Sequence, residues 1–161
     1  MKATLEALKV RIAVGSDFIG WELKATLMEL LKAHPEVTAV EDLGVASRED
    51  KSDYPDIGFA LARFIAQGKA DRGLLICGTG IGMAISANKV PGIRAATTHD
   101  PYSLERAILS NNCQIICMGA RVVTAELAKS LIAPWLEYTF DAAGPSSSKV
   151  DKINTLEREG L

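Results

Sequence analysis

The run Gly73-Leu74-Leu75-Ile76-Cys77, followed at once by Gly78-Thr79-Gly80-Ile81-Gly82, constrains the fold more than any other stretch of this chain. It is short, continuous and apolar, so both of its faces have to be covered, as in a central strand between two layers of helix. The glycines behind it permit a tight turn into the next helix. The rest of the chain keeps the same alternation. Residues 11–15, 37–43, 94–98 and 114–118 read as further strands; 21–33, 55–67, 82–89, 103–109 and 125–138 read as helices. In the first helix Trp21, Leu23, Leu27, Leu30 and Leu31 fall near helical spacing. Strands alternating with helices predict an α/β fold: a five-stranded parallel sheet, right-handed crossovers, and helices on both faces.

Nothing in the chain of 161 residues suggests a second unit, so one domain spanning 1–161 is expected, with an N-terminal extension over 1–10. Gly144, Pro145 and Ser146–Ser148 break the pattern before a polar, helical C-terminal tail within 144–161. A formal charge of -2 leaves no electrostatic footprint for nucleic acid or an anionic membrane. An apolar run of about 18 residues, as a membrane span needs, is missing, and residues 1–9 lack the apolar core of a secretory signal. Cys77, Cys113 and Cys117 are odd in number, which favours free thiols and a cytoplasmic setting. With only His34 and His99 to join them, no metal centre is expected.

In sheets of this kind ligands sit beyond the carboxyl ends of the strands, near the point where strand order reverses. The loops after the first, third and fourth strands therefore carry the candidates. Gly78, Gly80 and Gly82 let several N–H groups converge, which suits a phosphate or an enediolate oxyanion, although a purely structural turn has the same composition. Cys77 ends the strand ahead of that loop, as a base or nucleophile activated by the nearby N–H dipoles or as a buried small hydrophobe. Asp17, in Gly15-Ser16-Asp17-Phe18, can receive hydroxyls or cap the next helix. His99 beside Asp100 supplies a group that titrates near neutrality. His34, before Pro35, reads as a cation at a helix end. Thiol, carboxylate, imidazole and amide nest together make a plausible proton-transfer site.

On these residues the sequence resembles the ribose-5-phosphate isomerase B and galactose-6-phosphate isomerase family. The resemblance is carried by Gly15-Ser16-Asp17, Tyr54-Pro55-Asp56, Cys77 through Met83, Ser86-Ala87-Asn88-Lys89-Val90-Pro91-Gly92, His99-Asp100 and Gly119-Ala120-Arg121-Val122. It implies a three-layer, Rossmann-like αβα fold and an aldose–ketose isomerase working through a cis-enediol, of the ribose 5-phosphate to ribulose 5-phosphate type. It also implies a homodimer or dimer of dimers with shared sites, the C-terminal tail reaching the partner, and no cofactor or metal. By the same resemblance Cys77 is the base, His99 opens a furanose ring, and Thr79 joins them in the catalytic set. Ser16, Asp17, Tyr54, Gly78, Gly80, Gly82, Asp100 and Asn111 would bind the substrate.

Departures from the family pattern cluster where the phosphate is expected. Phe18 stands where a histidine usually follows the Ser-Asp pair, and Pro145-Ser146-Ser147-Ser148-Lys149 where an Arg-His-x-Arg-Arg segment of the partner grips the phosphate. Arg106 and Lys149 are the candidates to replace the lost donors. The altered pattern is similar to the branch acting on tetrose phosphates, which makes D-erythrulose 4-phosphate an alternative substrate. A tetrose 4-phosphate has its O4 blocked and forms no furanose, so His99 would then orient or polarise instead of opening a ring. A catalytically silent subunit and a nucleotide-binding regulatory domain are the alternatives of another class.

Overall fold

A computed structural model describes residues 9–160; the expected N-terminal extension lies, up to residue 8, outside the described residues. Strands β1 (Val10–Ser16), β2 (Val37–Asp42), β3 (Arg72–Cys77), β4 (Ala95–Thr97) and β5 (Ile115–Gly119) alternate with helices α1 (Trp21–Ala33), α2 (Tyr54–Ala66), α3 (Ile81–Ala87), α4 (Pro101–Leu109) and α5 (Ala125–Glu137). Helix α6 (Ser147–Glu159) closes the chain. The strands form one parallel sheet in the order β2-β1-β3-β5-β4. Strand order reverses between β1 and β3, so Ser16 and Cys77 end at the switch point.

Two cores lie on opposite faces of the sheet. Ile12 and Val14 of β1 with Leu74 and Ile76 of β3 pack beneath Leu23, Leu27 and Leu31 of α1 and Leu131 and Trp135 of α5. The intervening residues, Ala13, Leu75 and Cys77, face Ile57, Leu61 and Ile65 of α2 and Met83, Ala84 and Ala87 of α3. Period-two alternation along strands buried on both sides produces this division. The helix over residues 103–109 in fact starts at Pro101, because Asp100 caps it by accepting the Ser103 N–H at 2.7 Å and proline suits a first helical position. Strand β4 is only three residues long, at the sheet edge, where it pairs with β5 alone.

Two contacts determine how loops sit. Lys24, 2% exposed, donates to both oxygens of Asp42 at 2.9 and 2.8 Å and to the Val45 carbonyl at 2.6 Å. It thereby pins the turn after β2 against the end of β1, where Val45 N–H donates to the Ser16 carbonyl at 3.0 Å. Helix α6 folds back on its own chain: Glu157 accepts the Gly92 N–H at 2.7 Å, and Asn154 accepts from Arg94 at 3.0 Å. Val150 is its buried anchor, while Ile153 and Leu156 face outward.

Candidate active site

Cys77 is the last residue of β3 and is 5% exposed. Its Sγ accepts the Gly80 N–H at 3.1 Å, a donor placed to stabilise negative charge on sulfur. Gly80 can provide that donor because its φ is +76° and it sits hard against the Met118 backbone, where a Cβ would approach to 2.9 Å. Thr79 Oγ1 accepts the Ile81 N–H at 3.3 Å. Among the described residues the Thr79 and Gly82 N–H groups have no acceptor, so they are available to an oxyanion. Gly82 lies under the Tyr54 ring: a Cβ there would stand 2.4 Å from Tyr54 Cε2.

The loop after β5 closes the other side. Ala120 N–H donates to the Cys77 carbonyl at 2.8 Å and Arg121 N–H to that of Gly78 at 3.0 Å. Gly119 N–H donates to His99 Nε2 at 2.9 Å, which brings the imidazole to the strand pair that ends in Cys77 and Gly119. An amide can only donate, so Nε2 carries no proton and the neutral ring holds its proton on Nδ1. Burial holds the His99 pKa below its ordinary 6.5, with the Asp100 charge opposing but not cancelling that effect. The folded chain thus resists protonation at a pH where the unfolded chain accepts it. Stability from this site is complete above about pH 6.5 and is lost as pH falls through the depressed folded value. An imidazole NMR titration is expected to give a midpoint below 6.5 with Nδ1 protonated, and His99→Gln should flatten this part of the acid limb in urea unfolding. A midpoint above 6.5 would refute the partly buried, neutral ring.

Other residues singled out in the sequence are placed more variously. Asp17 is 5% exposed, and its Oδ1 accepts the Ile19 and Gly20 N–H groups, each at 3.0 Å, closing the turn into α1. Capping therefore engages one carboxylate oxygen and leaves Oδ2. Ser16 is fully buried, its Oγ unpartnered among the described residues. Asp100 caps α4, and that hydrogen bond with Ser103 lowers its pKa. Cys113 and Cys117 are buried thiols; desolvation pushes the former up to about 11 and the latter well above the ordinary value. His34, at the end of α1, accepts the Glu36 N–H on Nδ1 at 3.3 Å.

Three candidates do not join the cluster within one protomer. Asn111 donates to the Arg106 carbonyl at 2.9 Å, and its own carbonyl accepts from Arg94 at 3.1 Å, ahead of β4. It sits at the end of the sheet opposite Cys77. Arg106, in the last turn of α4, is engaged by Glu105 at 2.5 Å and Ser110 at 3.1 Å. Lys149 is exposed on the first turn of α6. Sequence reasoning used Gly119-Ala120-Arg121-Val122 after β5 only as part of the family resemblance, although that loop reaches the same edge of the sheet, and assigned Arg121 no role. It also passed over Arg48 and Lys51 on the loop after β2. The three cations share a cleft of about 390 Å³ with Phe18, Ile19 and Ala120. Among the described residues no cluster of histidine, cysteine, aspartate or glutamate is arranged to hold a metal ion. No helix among them is long and apolar enough to cross a membrane.

Comparison with known proteins matches residues 12–153 to the model of a family described as Ribose/Galactose Isomerase. D-erythrulose-4-phosphate isomerase 2 of Mycolicibacterium smegmatis is 48% identical, over 93% of this chain and 99% of its own. Ribose-5-P isomerase B of Listeria innocua is 46% identical, over 93% and 99% respectively. The solved structure of ribose-5-phosphate isomerase B from Clostridium thermocellum superposes with a TM-score of 0.87 at 38% identity, covering 94% of this chain and 99% of that one.

Proposed function

The chain belongs to the ribose/galactose isomerase family, and we propose that Cys77 is the base of its aldose–ketose reaction on a sugar phosphate. The protein is an isomerase of that class. The observation that carries the base assignment is the Cys77 Sγ held on the Gly80 N–H beside unpaired amides of Thr79 and Gly82. The thiolate takes the proton from C1 of the ketose, and the electron pair moves into a cis-enediolate whose oxygen lies on those amides. The thiol then returns the proton to C2, while a second proton passes between O2 and O1. His99, neutral with its proton on Nδ1, donates a hydrogen bond to a substrate oxygen, and Thr79 assists from the loop. Asp17 Oδ2, Tyr54 and the glycines line the sugar.

The family reaction on ribose 5-phosphate needs a ring opened. With Nε2 occupied by the Gly119 amide, His99 can serve that step only from Nδ1, by donating to the ring oxygen, and cannot also take the O1 proton on Nε2. That constraint favours D-erythrulose 4-phosphate, which needs no ring opening, as the better substrate. Overall identity, 48% and 46% to D-erythrulose-4-phosphate isomerases and 46% to a ribose-5-P isomerase B, does not separate the two. We expect kcat/KM to be higher for the tetrose than for ribose 5-phosphate when both are assayed on one preparation. The opposite preference would overturn the tetrose reading, and no turnover on either would refute the base at Cys77 together with its substrates.

The working unit is proposed to be a homodimer or a dimer of dimers in the cytoplasm. Ile81 and Ile85 on α3 are more than half exposed beside Tyr54, an apolar face suited to a second copy. A second copy could also bring Asn111, or Lys149 from the C-terminal tail, to the site.

A further inference from the structure

We propose that Arg48 and Lys51, on the loop between β2 and α2, join Arg121 after β5 in holding the phosphate group of the substrate, an assignment that rests on the isomerase reading above. The cleft is lined by Phe18, Ile19, Arg48, Lys51, Ala120 and Arg121, with three cations and no carboxylate. All three contributing loops leave the carboxyl ends of their strands, the edge that also carries Cys77.

Two contacts link the cleft to the reacting residues. The Arg121 side chain crosses the glycine loop: its Cδ stands 3.8 Å from where a Cβ on Gly78 would be. Among the described residues its guanidinium has no ion-pair partner. On the opposite wall, Lys51 Nζ lies 3.8 Å from the centroid of the Phe18 ring and donates to the Arg48 carbonyl at 2.7 Å. Ring and carbonyl together fix the ammonium at the mouth of the cleft, with further N–H donors left for a ligand. Phe18 directly follows Asp17, so the ring that carries this ammonium belongs to the same loop as the carboxylate of the candidate site. An aromatic residue at position 18 thus has a purpose as a platform for a cation that comes from another loop. Arg48 is shared with Glu22, which fixes its direction and reduces its free charge.

A phosphate dianion between these cations gains charge-assisted hydrogen bonds made alike in ground and transition states, so their loss should fall on KM. Lys51→Ala and Arg48→Ala are each expected to raise KM for the sugar phosphate about tenfold, with kcat little altered. The inhibition constant of inorganic phosphate should rise in parallel, and Lys51→Arg should restore both. Both residues are exposed on a loop, so unfolding of the free variants should match that of the wild type. Unchanged KM and unchanged phosphate inhibition in both variants, with an active wild type, would overturn the proposal. If the wild type turns over no sugar phosphate, the isomerase reading fails by itself. Inorganic phosphate should then still raise the thermal midpoint of the wild type more than that of Lys51→Ala; equal effects would sink the anion site.

Discussion

Replacing Cys77 by alanine should lower kcat by about 10³-fold or more, at the upper part of the range for loss of a positioned base. The substitution removes one buried sulfur and leaves the Gly80 N–H pointing into the site, so the loop has little reason to move. Substrate binding, read by calorimetry or by protection against heat, is expected to change by only a few fold. Exchange of the substrate's carbon-bound proton with deuterated solvent should cease together with turnover. Turnover within tenfold of the wild type would show that another group removes the proton. Cys117 offers a control from the same face of the sheet: fully buried, with a thiol pushed well above the ordinary range, it has no part in proton transfer.

Gly119→Ala should cost about 10² in kcat/KM without any change to a side chain that touches the substrate. A Cβ at Gly119 would stand 2.7 Å from the Thr79 Cα and carbonyl carbon, and backbone cannot swing aside as a flexible side chain can. The glycine loop has to shift, which misaligns the Thr79 and Gly82 amides and the Gly80 donor to sulfur. The His99 ring, held on the Gly119 N–H, is disturbed by the same change. The loss should appear in kcat more than in KM, because the oxyanion interaction strengthens in the transition state. Activity within threefold of the wild type, in a variant that unfolds normally, would mean that close packing of the two loops is not needed.

These two residues differ in how far the sequence revealed them. Cys77 could be singled out because a five-residue apolar run ending in cysteine, ahead of a glycine loop, specifies a strand covered on both faces and a turn at its carboxyl end. Gly119 is legible in the sequence only as part of a segment that resembles the family, since no local pattern announces that another backbone passes within contact distance. The boundaries follow the same division. Helix α1 was legible from its apolar spacing, but the shortness of β4 reflects its edge position and single partner. The start of α4 depended on recognising Asp100 as a cap.

By itself the sequence determined the alternation of strands and helices, the two-sided burial of the central strand and the loops that bear thiol, carboxylate and imidazole. Each of these is encoded within some ten consecutive residues, as periodicity, a cap or a glycine. Tertiary structure alone decided which loops meet. Lys51 reaches the Phe18 ring, Gly119 directs the His99 tautomer, and Arg121 crosses Gly78, whereas Asn111 and Arg106 lie away from Cys77 within the protomer. Strand order in the sheet and the close approach of one backbone to another produce those meetings, and neither leaves a local signature in the chain.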